Sequence, residues 1–176
     1  GMPTSAGCHL LETTTADKSA SVIEKLDAAG MVMLGKTNTV QFAYGGAGIN
    51  HDHGTPHNPW HEHHHVPGGS SSGSGVAVAA GMTPMALGTD TGGSVRIPAA
   101  LCGIAGLKTT VGQVSRAGVY PLSWTLDSVG PLARSVQDLA WVYECLQGPD
   151  NADSTTAGRA IHPVCDSLME GVKGLR

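Results

Sequence analysis

Pro67-Gly68-Gly69-Ser70-Ser71-Ser72-Gly73-Ser74-Gly75 and Gly88-Thr89-Asp90-Thr91-Gly92-Gly93-Ser94-Val95-Arg96 each place a run of small residues just before a segment of helical patterning. Bare N–H groups at a helix start favour an anion, or the negative oxygen that develops during acyl transfer. Glycines let a substrate approach the backbone, and a serine among them is a nucleophile if something takes its proton. Several readings fit one segment alone. Two tight turns with serine caps is the plainest. A phosphate-binding loop fails, because no Gly-Lys-Ser/Thr follows either run. The span from Gly69 to Gly73 fits G-x-S-x-G with Ser71 central, but a nucleophile elbow follows a buried strand, and here His63, His64, His65 and Pro67 come first. No Ser-x-x-Lys tetrapeptide occurs anywhere in the chain.

Working outward, the flanking elements read as a layered α/β fold. Residues 18–29 pattern as a helix, with Val22, Ile23, Leu26 and Ala29 on one face, Asp17 as cap and Gly30 as stop. Residues 31–34 follow as a short buried strand. Residues 45–69 look irregular. A helix is expected over 71–80, a strand over 84–88, a short helix over 94–102 with Pro98 in its first turn, and a strand over 104–107. The clearest helix spans 136–147, with Val136, Leu139, Ala140, Tyr143 and Leu146 as its stripe, Ser135 and Asp138 at its start, and Gly148-Pro149 at its end. Residues 151–158 read as a polar loop.

Taken together the two motifs resemble the amidase signature family of serine hydrolases. Ser70 and Ser94 lie 24 residues apart, the family's separation without a gap. The segments Leu34-Gly35-Lys36-Thr37-Asn38, Asn58-Pro59-Trp60, Ile97-Pro98-Ala99-Ala100, Gly106-Leu107-Lys108-Thr109 and Leu126-Asp127-Ser128-Val129-Gly130-Pro131 resemble further family blocks, so nearly the whole chain is covered. The resemblance implies an α/β amidase-signature fold: a mixed, mostly parallel sheet covered by helices on both faces, present here as its N-terminal and central part. It implies a Ser–cisSer–Lys triad acting on a small-molecule amide without metal or organic cofactor. Ser94 would be the nucleophile. Ser70, after a cis Gly69–Ser70 bond, would relay the proton. The N–H groups of Thr91, Gly92, Gly93 and Ser94 would form the oxyanion hole.

The family's catalytic lysine lies in a Lys-Asp segment before the block that Gly1-Met2-Pro3-Thr4 resembles, and the family's C-terminal half would continue beyond Gly174-Leu175-Arg176. The expectation is therefore one incomplete domain over residues 1–176, inactive or weakly active by itself and inclined to dimerise through uncovered apolar faces. Lys18 and Lys25 read as a solvated helix face, and Lys36 and Lys108 sit in blocks that are not the catalytic one. The A subunit of the glutamyl-tRNA(Gln) amidotransferase resembles the chain in the same blocks. However, Phe42-Ala43-Tyr44-Gly45-Gly46-Ala47-Gly48-Ile49-Asn50 looks more like stand-alone amidases. A non-catalytic remnant is the third reading.

Composition agrees with an ordinary globular chain. It has 176 residues, 40% apolar and only 14% charged, against about a quarter charged in typical domains. That excludes a charge-rich disordered chain and a long coiled coil. The net charge of −4 carries no basic block, so no nucleic-acid groove is expected. With 25 glycines and 4% aromatics, the core must rest on small side chains. No apolar run approaches a membrane span. Cys8, Cys102, Cys145 and Cys165 are widely spaced, as buried thiols of a cytoplasmic protein would be. Seven of nine histidines (His51, His53, His57, His61, His63, His64 and His65) fall in one loop-like stretch, read as a solvated surface with no metal site. Asp90 and Arg96 read as structural: a carboxylate holding turn N–H groups and a guanidinium tying the turn to the sheet. Asp127 and Ser128 read as packing and capping.

Overall fold

A computed structural model describes residues 1–174; Leu175 and Arg176, where the continuing strand is expected, lie outside the described residues. Eight regular elements follow in chain order: α1 (Ser21–Ala28), α2 (Ser72–Ala79), β1 (Met85–Asp90), α3 (Arg96–Leu101), β2 (Ala105–Gly106), β3 (Ser128–Ala133), α4 (Val136–Leu146) and α5 (Val164–Ser167). Short 3-10 turns cover His9–Leu11, Gln41–Ala43 and Ser154–Thr156.

The α/β class holds. The sheet order is β1-β3-β2, and both pairings are antiparallel, with Gly88 opposite Gly130 and Gly106 opposite Leu132. The mostly parallel sheet implied by the resemblance is thus absent among the described residues. The reason is topological. β1, α3 and β2 form a crossover whose two strands run the same way, as in parallel folds. β3 then slots between them in the opposite direction. The central strand β3 has no counterpart in the sequence reading, because Pro131 sits in its middle. Proline survives there because its carbonyl faces β2, accepting Leu107 N–H at 3.0 Å, and β2 pairs only with Leu132 and Ala133. The missing N–H therefore points where the ladder has already ended.

Helices cover both faces. On one side Val78 of α2, Val95 and Ala99 of the α3 region and Leu132 of β3 close a core with Ala86 and Ile104. On the other, Val22 and Leu26 of α1 meet Val142 and Leu146 of α4 over Val129, Met85 and Leu87. The core is aliphatic and small, as composition requires; Trp60, Trp124 and Trp141 are all exposed. α2 is buried on nearly every side, its inward residues being Ser72, Gly73, Ser74, Gly75, Ala77 and Val78. Its serines also serve the sheet. Ser74 Oγ donates to Leu87 O at 2.7 Å. Ser71 Oγ accepts Thr89 N–H at 3.3 Å and reaches Thr89 O at 3.4 Å. These groups lie on the outer edge of β1, so serine hydroxyls stand where a neighbouring strand would be.

Several local expectations shift. α1 begins at Ser21, not residue 18, and Ala20 occupies the cap without a side-chain bond, because Ser21 N–H is taken by Ala117 O at 3.1 Å. Its end matches the expectation: Gly30 turns left-handed, with Gly30 N–H on Asp27 O and Met31 N–H on Leu26 O. Residues 31–34 form no strand, and Val32 is 82% exposed. An apolar segment with no neighbour to complete a ladder gains nothing from sheet geometry. In α4, Ser135 Oγ accepts Asp138 N–H at 3.1 Å as expected, while Val136 points outward and Val142 takes its place in the stripe. Lys25 is not a free solvated charge: its Nζ donates to the carbonyls of Leu146, Gln147 and Gly148 at 3.0, 3.0 and 3.3 Å, closing the end of α4.

Leu132 is fully buried between the sheet and α2/α3. Leu132→Ala is expected to cost about 3 kcal/mol and Ser135→Ala about 1 kcal/mol, read from urea unfolding midpoints.

Candidate active site

β1 ends at Asp90, whose side chain is fully buried. Its Oδ1 accepts Gly93 N–H at 2.8 Å, and its Oδ2 accepts Val95 N–H at 3.1 Å and Arg96 N–H at 3.3 Å. Arg96 closes a two-pronged pair from outside, Nε to Oδ2 and Nη2 to Oδ1, both at 3.0 Å. Burial pushes this carboxyl up. The hydrogen bonds from Arg96 and from the Val95, Arg96 and Gly93 N–H groups outweigh it and hold the group below the ordinary carboxylate range. This is the structural role that the sequence suggested for both residues.

The turn between Asp90 and α3 presents Ser94, itself 9% exposed. Gly93 has φ 129°, and a Cβ there would lie 2.7 Å from Ile97 Cδ1, so the position requires glycine. Of the four N–H groups expected to face an oxyanion, that of Gly93 is committed to Asp90. Those of Thr91, Gly92 and Ser94 have no protein acceptor among the described residues. Thr91 Oγ1 donates to Asp127, whose other oxygen accepts Leu122 N–H at 2.8 Å and Ser123 N–H at 2.9 Å. Ser128 Oγ donates to Asp90 O at 3.1 Å.

The first serine segment meets this turn directly: Ser71 N–H donates to Ser94 O at 3.2 Å. Ser70 is fully buried, and the Gly69–Ser70 bond is cis. The Ser70 carbonyl is held by Val40 N–H at 3.0 Å and Thr39 Oγ1 at 2.8 Å. Gly69 lies against the Gly45–Gly48 run, where a Cβ would come within 2.6 Å of Gly45 O. The same run lines an open cavity of about 500 Å³. The hydroxyls of Ser70 and Ser72 have no hydrogen-bond partner among the described residues.

Sequence reasoning missed the supports. Asn50 is a buried hub: its Nδ2 donates to Gly7 O and Thr39 O, and its Oδ1 accepts the N–H groups of Asp52 and His53. A lone asparagine after a glycine run was the available signal. The two lysines in the family-like blocks are engaged elsewhere. Lys36 Nζ ties down Met2 O, Pro3 O and Thr4, and Lys108 Nζ reaches Thr109 O. Cys102 donates its thiol to Pro67 O at 3.3 Å, and burial pushes that thiol up. No group of three ligating side chains suited to a metal occurs among the described residues.

Asp90 generates a pH-dependent prediction. Its folded pKa is below the unfolded one, so its contribution is complete above about pH 4 and is lost as pH falls through the folded value. Asp90→Asn should cost about 2 kcal/mol at pH 7, allowing for the half-exposed guanidinium. The gap to the native chain should narrow in urea titrations repeated near pH 3.

The chain as a whole is similar to known proteins. A family profile described as Amidase matches residues 1–176. The A subunit of the glutamyl-tRNA(Gln) amidotransferase of Nitrosococcus oceani is 48% identical over 176 residues, covering 100% of this chain and 36% of that protein. The AtzE subunit of the 1-carboxybiuret hydrolase of Pseudomonas sp. is 45% identical over 177 residues, covering 100% and 38%. A crystal structure of the corresponding amidotransferase A subunit from Thermotoga maritima superposes with a TM-score of 0.91 at 40% identity, over 99% of this chain and 38% of that one. The chain thus spans well under half the length of these relatives, and its full-length match to the family profile settles its kinship: it belongs to the amidase family.

Proposed function

We propose that this chain carries the nucleophilic part of an amide-hydrolysing site in which Ser94 Oγ attacks the carbonyl carbon of a small-molecule amide. The observation that carries the reading is the bond from Ser71 N–H to Ser94 O, which ties the Ser94 turn to the residue next to a fully buried Ser70 whose hydroxyl has no partner among the described residues. A buried hydroxyl without a partner costs about 1–3 kcal/mol, so its retention fits a group kept for proton transfer. Ser94 gives its proton to Ser70 as the C–O bond forms. Ser70 passes its own to a base, assigned by the family resemblance to a lysine outside these residues. The N–H groups of Thr91, Gly92 and Ser94 are free to face the developing oxyanion, with Gly93 shaping the turn. The base returns the proton through Ser70 to the leaving amine as the C–N bond breaks, and water, giving its proton to the same relay, clears the acyl group from Ser94. The four free thiols fit a cytoplasmic site of action. No helix among the described residues is long and apolar enough to cross a membrane.

A second reading is an amidotransferase component that releases ammonia from glutamine, favoured by the identity to amidotransferase A subunits. The run from Phe42 to Asn50 favours the stand-alone reaction.

The test uses the polypeptide that contains this chain. A fluorophosphonate should label Ser94, and Ser94→Ala should lower amide turnover by about 10⁴-fold or more. Glutaminase activity that appears only with added partner proteins selects the second reading. An unlabelled Ser94 in folded protein marks a non-catalytic remnant.

A further inference from the structure

The turn after β1 is held unevenly. Asp90 grips the N–H groups of Gly93, Val95 and Arg96. The Gly93 carbonyl accepts Ile97 N–H at 2.7 Å, and the Ser94 carbonyl accepts Ser71 N–H at 3.2 Å. From Gly93 onward the backbone is therefore fixed. Thr91 and Gly92 differ: neither makes a backbone hydrogen bond among the described residues. Gly92 is exposed, and a Cβ there would meet no atom within 4 Å, so packing does not hold it either. With Gly93 next to it, this is the loosest part of the turn. One side-chain bond reaches it among the described residues: Thr91 Oγ1 donates to Asp127 Oδ1. Asp127 is buried and firmly seated. Its Oδ2 accepts Leu122 N–H and Ser123 N–H at 2.8 and 2.9 Å, and its own N–H donates to Ser123 O at 3.1 Å. Arg116 Nη1 donates to Trp124 O at 2.7 Å and Asp127 O at 3.4 Å, and Arg116 N–H is held in turn by Asp153 Oδ2 at 2.8 Å. The following residue, Ser128, pairs with Asp90 in the sheet.

We propose that Asp127 is a positioning residue for the oxyanion site: through Thr91 Oγ1 it holds the Thr91–Gly92 segment so that both N–H groups stay aimed where the oxyanion develops. This rests on the reading of Ser94 as nucleophile and adds a residue which that reading leaves out. Oxyanion donors help only when they are in place before the charge forms, and a segment anchored by nothing else would have to be ordered during the reaction. A carboxylate suits the task, since a hydrogen bond to an ionised acceptor is stronger than one to a neutral group. Packing and capping, the role expected from the sequence, is met by Oδ2 and its two loop N–H groups. Oδ1 is left over from that role, and it is the atom that takes the Thr91 hydroxyl.

Labelling kinetics with a fluorophosphonate, on the polypeptide that contains this chain, test the proposal, because the phosphoryl oxygen of the probe takes the place of the oxyanion. The maximal labelling rate of Ser94 should fall about 10- to 100-fold in Thr91→Val, with the half-saturating probe concentration within about threefold of native. Thr91→Ser keeps a hydroxyl and should recover the rate to within about fivefold of native. Asp127→Asn, whose single oxygen cannot serve both sides, should lose at least as much as Thr91→Val. The double variant should lose no more than Asp127→Asn alone, since the two groups form one link. Melting curves recorded alongside identify folded variants, and the two Thr91 variants decide the question if Asp127→Asn does not fold. A folded Thr91→Val labelled at the native rate, a Thr91→Ser as slow as Thr91→Val, or losses that multiply in the double variant would each overturn the positioning role while leaving Ser94 as nucleophile. A folded native protein in which Ser94 stays unlabelled overturns the nucleophile reading, and the positioning role with it.

Discussion

Asp90 is a fully buried carboxylate, and the geometry around Ser94 depends on how its charge is satisfied. Five donors converge on two oxygens: three backbone N–H groups and both prongs of Arg96. An isolated buried charge would cost far more than a small domain can offset, so these donors must stay in place together. They belong to Gly93, Val95 and Arg96, the residues on either side of Ser94. The serine is thus fixed by its neighbours' bonds and keeps its own N–H and hydroxyl out of the network. The negative charge also sits at the opening of α3, where the peptide dipoles favour it.

The second constraint is size. β1 lies at the sheet edge, and α2 must come close enough for Ser71 and Ser74 to bond its outer backbone groups. Large side chains on α2 would forbid that approach. The same closeness brings Ser71 N–H onto Ser94 O, joining the two motif turns. The serine- and glycine-rich composition of 67–75 therefore answers two demands at once: covering an exposed edge and bringing one turn against the other.

Much of this was legible. The helix over α4 followed from its stripe and from Ser135, because local patterning and capping decide such elements without outside help. The motif spacing of Ser70 and Ser94 identified the family, and the Asp90–Arg96 pair was readable as a turn brace. What failed depended on partners distant in sequence. Pro131 hid the central strand, since its fitness depends on where β2 stops. Residues 31–34 carry strand-like composition but no neighbouring strand. Lys25 looked solvated because nothing in α1 announces the carbonyls of Leu146, Gln147 and Gly148 above it. Asn50 and Thr39 act on segments far along the chain, and single polar residues carry no periodic signal.

The serine run also sorts itself by hydrogen bonding. Ser71 and Ser74 have spent their hydroxyls on the edge of β1, and Ser74 also meets Thr37 Oγ1 at 2.9 Å. The G-x-S-x-G reading centred on Ser71 therefore loses its nucleophile to a structural duty. Ser70 and Ser72 remain, both fully buried and both unpaired among the described residues. Of these two, Ser70 has its carbonyl gripped from a second segment, by Val40 and Thr39, which fixes where its hydroxyl is offered. A relay group needs a free hydroxyl on a backbone that cannot drift, and among the described residues Ser70 joins an unpaired hydroxyl to a carbonyl held from a second segment, which supports the relay role proposed for it.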